Sequence, residues 1–149
     1  MLQFSFPEVR SSIFELHTQP QLFYLRHFGG SDAPKPPHAL HTHQDLTELL
    51  FIEEGTGKYM VDHQVYNVHK GDLLLLNANI LHGLCEEGSS KIQACQLGIR
   101  RLHLKGLEPD QLIAPDICPV LPTGPRLPLL LQFFRIFDAL IQEPQPEQL

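Results

Sequence analysis

His41-Thr42-His43-Gln44-Asp45-Leu46-Thr47-Glu48-Leu49-Leu50-Phe51-Ile52-Glu53-Glu54-Gly55-Thr56-Gly57 opens with two histidines one residue apart and runs through a glutamate into β-branched and large apolar residues. In extended backbone alternate residues share a face, so His41 and His43 project to the same side. The step from His43 to Glu48 is odd, and a turn or bulge within residues 44–47 is needed for the three to converge. Residues 47–54 read as a strand. Gly55-Thr56-Gly57 then punctuates, and residues 58–62 alternate around Tyr59 and Val61. The pattern predicts strand, turn, strand.

Working outward, Asp62-His63-Gln64 leads into residues 65–68 as a second hairpin. His69-Lys70-Gly71-Asp72 then turns the chain into Leu73-Leu74-Leu75-Leu76, whose brevity favours a buried strand. Residues 91–99 predict a further strand, and His82 stands beyond the leucine run beside Gly83. Short strands separated by glycine turns indicate a sandwich or barrel. The alternation places His41, Glu48 and His82 among Leu50, Ile52 and the leucines, pointing into one interior.

Three imidazoles and one carboxylate form a mixed nitrogen and oxygen set that suits zinc, iron, nickel, copper or manganese, with room for water. The same residues equally suit a polar pocket, neutral at pH 7 and hydrogen-bonded to one another or to a ligand. With nine histidines in the chain, a pair one residue apart is not rare. Tyr59 and Tyr66 lie on predicted strands, where packing is the default role and ligand contact the second. His38 is placed to reach the pocket mouth from a proline-dense loop, His63 and His69 belong to solvated turns, and His17, His27 and His103 have no evident partner.

His41-Thr42-His43, then Glu48, then Gly55 resembles the first cupin motif, and the stretch from Gly71 to His82 resembles the second. Asn77 and Asn79 stand where that second motif usually has proline and glycine, and Glu86 where asparagine is common; asparagine still tolerates the left-handed turn required. The resemblance implies a mainly β fold, a cupin double-stranded β-helix (jelly-roll) barrel, with a C-terminal α-helical segment. Within the cupins, residues 38–83 are similar to the N-terminal sensing domain of AraC-type transcription regulators. That similarity implies a non-enzymatic domain that binds a small-molecule effector in a pocket of His41, His43, Glu48, Tyr59 and His82 and that forms a homodimer. His41, His43, Glu48 and His82 would hold one divalent transition metal (Zn, Ni, Fe or Mn). DNA binding would reside in a C-terminal helix-turn-helix domain absent from these 149 residues. The alternative is a stand-alone metal-dependent cupin enzyme, an isomerase or dioxygenase.

Composition narrows the classes. The length suits one domain, expected over residues 1–142. Eleven basic against seventeen acidic residues give a formal net charge of -6, with no basic stripe for a phosphate backbone. Neither a leader-like start nor a bilayer-length apolar run is present, and three irregularly spaced cysteines suit a reducing, cytoplasmic setting.

The last third is broken by prolines until residues 129–142, where Leu130, Phe133, Phe134, Phe137, Leu140 and Ile141 recur at helical spacing. Pro128 suits the first turn. This helix is expected to pack on the barrel, and its wide apolar face, with Leu129, Leu131 and Ile136, to contact a second subunit. Residues 143–149, rich in proline, glutamine and glutamate, read as a linker to the missing DNA-binding domain.

Overall fold

The computed structural model describes residues 12–29, 39–85 and 90–142. His38, Glu86 and the linker-like residues 143–149 lie outside that set. The architecture is mainly β and antiparallel, with strands β1 (Gln21–Phe28), β2 (Leu46–Val61), β3 (Gln64–His69), β4 (Asp72–Leu76), β5 (His82–Leu84), β6 (Ser90–Arg100) and β7 (Val120–Pro122). A 3-10 turn, Gly124–Arg126, leads into the helix α1 (Leu127–Gln142), with Pro128 in its first turn.

β2 organises the sheet, and it corrects the expected strand-turn-strand. Gly55 takes φ 90° but does not end the strand, which continues for 16 residues. The register against β6 slips between Ile52 and Glu54 and again between Glu54 and Thr56, so the glycine region is an irregular bend. The strand survives the bend because it changes partners there. Its first half lies between β6 and β4, with Glu48 opposite Gly98 and Leu76; its second half pairs β3 on one side and β5 on the other, with Val61 opposite Gln64 and His82. One bent strand thus carries the walls of the barrel around a common interior.

That interior is filled by Phe28, Leu50, Ile52, Val68, Leu74, Leu76 and their neighbours. A second apolar layer lies on the outer face of the sheet, where Phe51, Cys95 and Leu97 meet Phe134 of α1. The leucine run is therefore buried from both sides: Leu74 and Leu76 face inward, and Leu73 packs beneath the helix. β1 was not anticipated. Its Phe23-Tyr24-Leu25 core carries large residues on both faces, because Leu25 is covered from outside and Phe23 lies under the Arg100 guanidinium, 3.6 Å from the ring centroid.

The helix is rotated relative to the expected stripe. Leu127, Leu130, Leu131, Phe134 and Phe137 face the sheet, whereas Leu129, Phe133, Ile136, Leu140 and Ile141 are exposed. Leu131 thus belongs to the packed face, and Phe133, Leu140 and Ile141 to the free one. At 100° per residue, the steps 127, 130, 131, 134, 137 follow one line, and 129, 133, 136, 140 another. Phe134 decides which is buried by stacking on Phe51, centroids 5.1 Å apart.

Candidate functional site

Residues 44 and 45 form a bend between His41-Thr42-His43 and β2, which resolves the odd spacing from His43 to Glu48. Asn79 pins that bend. It adopts φ 63°, its backbone N–H donates to the His43 carbonyl at 2.7 Å, and its side chain reaches the Gln44 carbonyl at 3.3 Å. The departure from proline or glycine at this point therefore has a local function, since asparagine accepts the left-handed turn and adds a donor.

His41 and His82 form an isolated antiparallel bridge, exchanging backbone hydrogen bonds of 3.0 Å in both directions. Their rings meet edge-on at 4.6 Å, and the His43 ring lies 5.0 Å from that of His41. Glu48 enters from β2 and is 1% exposed, as is His82. One ligating atom from each of His41, His43, Glu48 and His82 lies within 4.8 Å of all the others. The structure thus gathers these four residues, while Tyr59 stacks at 6.5 Å against the His82 ring. His63 and His69 are exposed in their turns. His27, by contrast, sits between Asp138 of α1 at 3.3 Å and Glu53 at 3.8 Å, so it does have partners.

The hydrogen bonds of the cluster set its chemistry. His82 Nδ1 lies 2.8 Å from the Ile80 carbonyl and His41 Nδ1 2.9 Å from the Ala39 carbonyl. A carbonyl only accepts, so each Nδ1 carries the proton and each Nε2 is left to the interior. His82 Nε2 approaches Glu48 Oε2 to 2.7 Å, and among the described residues neither of these buried atoms has a hydrogen-bond partner. Two lone-pair atoms at that distance call for a proton or a cation between them. The donor set therefore fits a metal ion, and outer carbonyls that fix imidazole tautomers are the usual companions of metal-bound histidines.

Tyr24 is the residue that sequence reasoning missed. Its hydroxyl donates to Glu48 Oε1, while His43 Nε2 stands 3.4 Å from the same oxygen. The tyrosine reaches across because Gly98 lacks a side chain: a Cβ there would lie 2.6 Å from the Tyr24 ring. The Arg26 guanidinium covers the ring, 3.7 Å from its centroid. The available signal was the Phe23-Tyr24-Leu25 run between Pro20 and Gly29-Gly30.

His43 titrates below its ordinary value of 6.5, chiefly through burial, then through His41, His82 and Arg26, with Asp45 opposing. Burial, and secondarily Glu48, pushes the Tyr59 phenol far up, so it stays neutral. Beneath the cluster lies a cavity walled by Phe28, Leu50, Ile52, Leu84, Ile92 and Ala94, with His41, Tyr59 and Gln96 as its polar members.

Residues 30–148 match the AraC-like ligand binding domain family. The chain is 24% identical over 148 residues to "Uncharacterized HTH-type transcriptional regulator YdiP" of Escherichia coli (strain K12), covering 99% of this chain and 48% of that protein. It thus spans about half the length of the curated relative. A solved cupin protein from Bacteroides fragilis is 18% identical, with 72% of this chain and 91% of that one covered, at a TM-score of 0.40. The family match extends over most of the 149 residues and takes in every residue of the cluster, and on it the chain belongs to the AraC-like ligand binding domain family.

Proposed function

We propose that this chain senses a small-molecule effector and dimerises for an AraC-type transcription regulator, governing a helix-turn-helix domain joined to it. The observation that carries the reading is the ligand-binding family match, which takes in β2 to β7 and the helix α1. The relative's printed description as a helix-turn-helix regulator, and the net charge of -6, support DNA contact through another domain. Such a regulator works beside DNA, in the cytoplasm, and no helix among the described residues is long and apolar enough to cross a membrane.

The domain acts without turnover in this reading. An effector shifts the regulator only by binding one arrangement more tightly than the other. The exposed line Leu129, Phe133, Ile136, Leu140 steps by four, three and four residues, which is the spacing of a helix-pairing seam. It supports a homodimer through α1.

His41, His43, Glu48 and His82 would hold one divalent transition metal, zinc, nickel, iron or manganese. A metal there supplies a Lewis-acid centre for an electron-pair donor of the effector. The chain's own part is to hold the ligands: the Ile80 and Ala39 carbonyls orient His82 and His41, and Tyr24 occupies one oxygen of Glu48. The same four donors favour the second reading, a metal-dependent isomerase or dioxygenase.

The test is a gel-shift titration with candidate small molecules, comparing residues 1–149 with the same residues fused to a helix-turn-helix domain of the relative's kind. The fusion should bind its operator in an effector-dependent manner, and the isolated chain should bind no specific DNA. Specific binding by the isolated chain, or steady substrate conversion by the metal-loaded chain, would overturn the assignment.

A further inference from the structure

Tyr24 is held at two places at once. Its hydroxyl donates to Glu48 Oε1 of the cluster, and its ring face carries the Arg26 guanidinium, 3.7 Å from the centroid. On β1 Tyr24 and Phe28 point inward, and Arg26 stands between them at the same alternation, opposite Gln96, whose side chain lines the interior cavity. Arg26 is nevertheless exposed, since β1 is the outermost strand on its side of the sheet. One tyrosine thus fixes a guanidinium at the rim of the barrel relative to the four donors inside.

Two arginines lie on aromatic rings of β1, and they differ in one respect. Arg100, over Phe23, has Asp45 at 3.4 Å from its Nε. Arg26 has no carboxylate within ion-pair distance among the described residues. Glu48 does not serve it, because one of its oxygens is turned to Tyr24 and His43 and the other to His82. The charge of Arg26 acts on His43, whose side chain is half-buried at the same rim. A guanidinium lying flat on a ring keeps its orientation and leaves its N–H edge free, a fork that matches the two oxygens of a carboxylate.

We propose that the effector is a small organic acid whose carboxylate is bonded by the Arg26 guanidinium at the rim of the barrel, beside His43. This rests on the ligand-sensing reading above. The enclosed cavity beneath the cluster has room for a water-sized group only, about 20 Å³, so the acid sits at the rim and not below the histidines. A monoanion balances one guanidinium, whereas a tetrahedral dianion would leave a charge uncompensated near Glu48. A neutral amide or polyol forgoes the charge-assisted bonds, which are about twice as strong as neutral ones. A divalent ion on the four donors would add to the attraction, its two charges exceeding the one of Glu48.

The probes are propionate, its neutral isostere propionamide, and sulfate, added to the purified chain at pH 7 and constant ionic strength, once in chelator and once with one equivalent of zinc. The NMR resonances of the Arg26 Nε–H and the Tyr24 backbone report the site. Propionate should shift both saturably in at least one buffer and more tightly than sulfate, and propionamide should shift neither at equal concentration. Arg26→Gln should weaken propionate roughly tenfold or more, read at Tyr24, the effect of losing one charge-assisted bond. Arg100→Gln removes the same charge from the neighbouring stack and should leave the affinity within about twofold, which tells a fork from a general field. Equal binding of propionamide or sulfate, propionate affinity unchanged in Arg26→Gln or equally reduced in Arg100→Gln, or no saturable shift in either buffer would each overturn the proposal. A reporter driven by the fused regulator separates the two readings. A response to an inducer without a carboxylate leaves sensing intact and removes the class, whereas Arg26-dependent propionate binding beside a reporter silent to every carboxylate supports the anion site and removes sensing.

Discussion

His43 is the residue through which pH acts most directly on the site. Its folded-state value lies below 6.5 because burial and the neighbouring imidazoles disfavour the charged ring. The unfolded chain therefore binds more protons than the folded one in the window just below pH 6.5. Stability contributed by His43 is present above that value, falls as pH drops, and levels off below the folded pKa. Urea melts in chelator from pH 7 to pH 5 should show this loss, and His43→Gln should flatten it. A wild-type profile that rises toward acid would contradict the sign.

Gly98 and Tyr24 give a second test at the same scale. Gly98→Ala places a methyl 2.6 Å from the Tyr24 ring and must displace the hydroxyl from Glu48. If the four donors bind metal, zinc affinity by chelator competition should fall roughly 10–100-fold, as for other lost outer partners, without loss of the barrel. Glu48→Gln should weaken it further, because a ligand itself is changed. Zinc stoichiometry and affinity unaffected by both substitutions would remove the cluster from consideration as a metal site.

At the scale of elements, α1 separates two kinds of apolar residue. Phe134 is buried against Phe51, so Phe134→Ala should cost about 3–5 kcal/mol in denaturant unfolding. Ile136 is 54% exposed on the opposite line, and Ile136→Asp should change monomer stability by no more than about 0.5 kcal/mol. Its expected effect is on association: sedimentation should show a dimer for the wild type and a monomer for the variant, with an unchanged far-ultraviolet spectrum. A wild-type monomer at high concentration would refute the seam. Leu131→Asp cannot make this distinction, because it places a carboxylate in the packed layer.

For the molecule as a whole, periodicity was enough to read much of the fold. The alternation around Tyr59 and Val61, the Asp62-His63 turn, the leucine strand, residues 91–99 and the late helix were all legible, because each is a local consequence of side-chain spacing. So was the cluster, whose members stand in two motifs of recognisable order. What spacing could not tell was how elements meet. Gly55 reads as a break, yet the strand continues, since hydrogen-bond partners supplied by β3 and β5 decide whether a glycine ends a strand. The helix carries two apolar lines of similar strength, and only the position of Phe51 on the sheet selects which is covered. Tyr24 meets Glu48 across 24 residues because Gly98, on a third strand, leaves room for the ring. Sequence alone thus determined the strands around Tyr59, the leucine strand, residues 91–99 and the late helix, since these follow from residue type and period, and its two motifs carried the family resemblance and named the four candidate ligands, while β1 escaped it. The tertiary structure decided the bend of β2, the face of α1 and the partner of Glu48, since each depends on a contact between residues far apart in the chain.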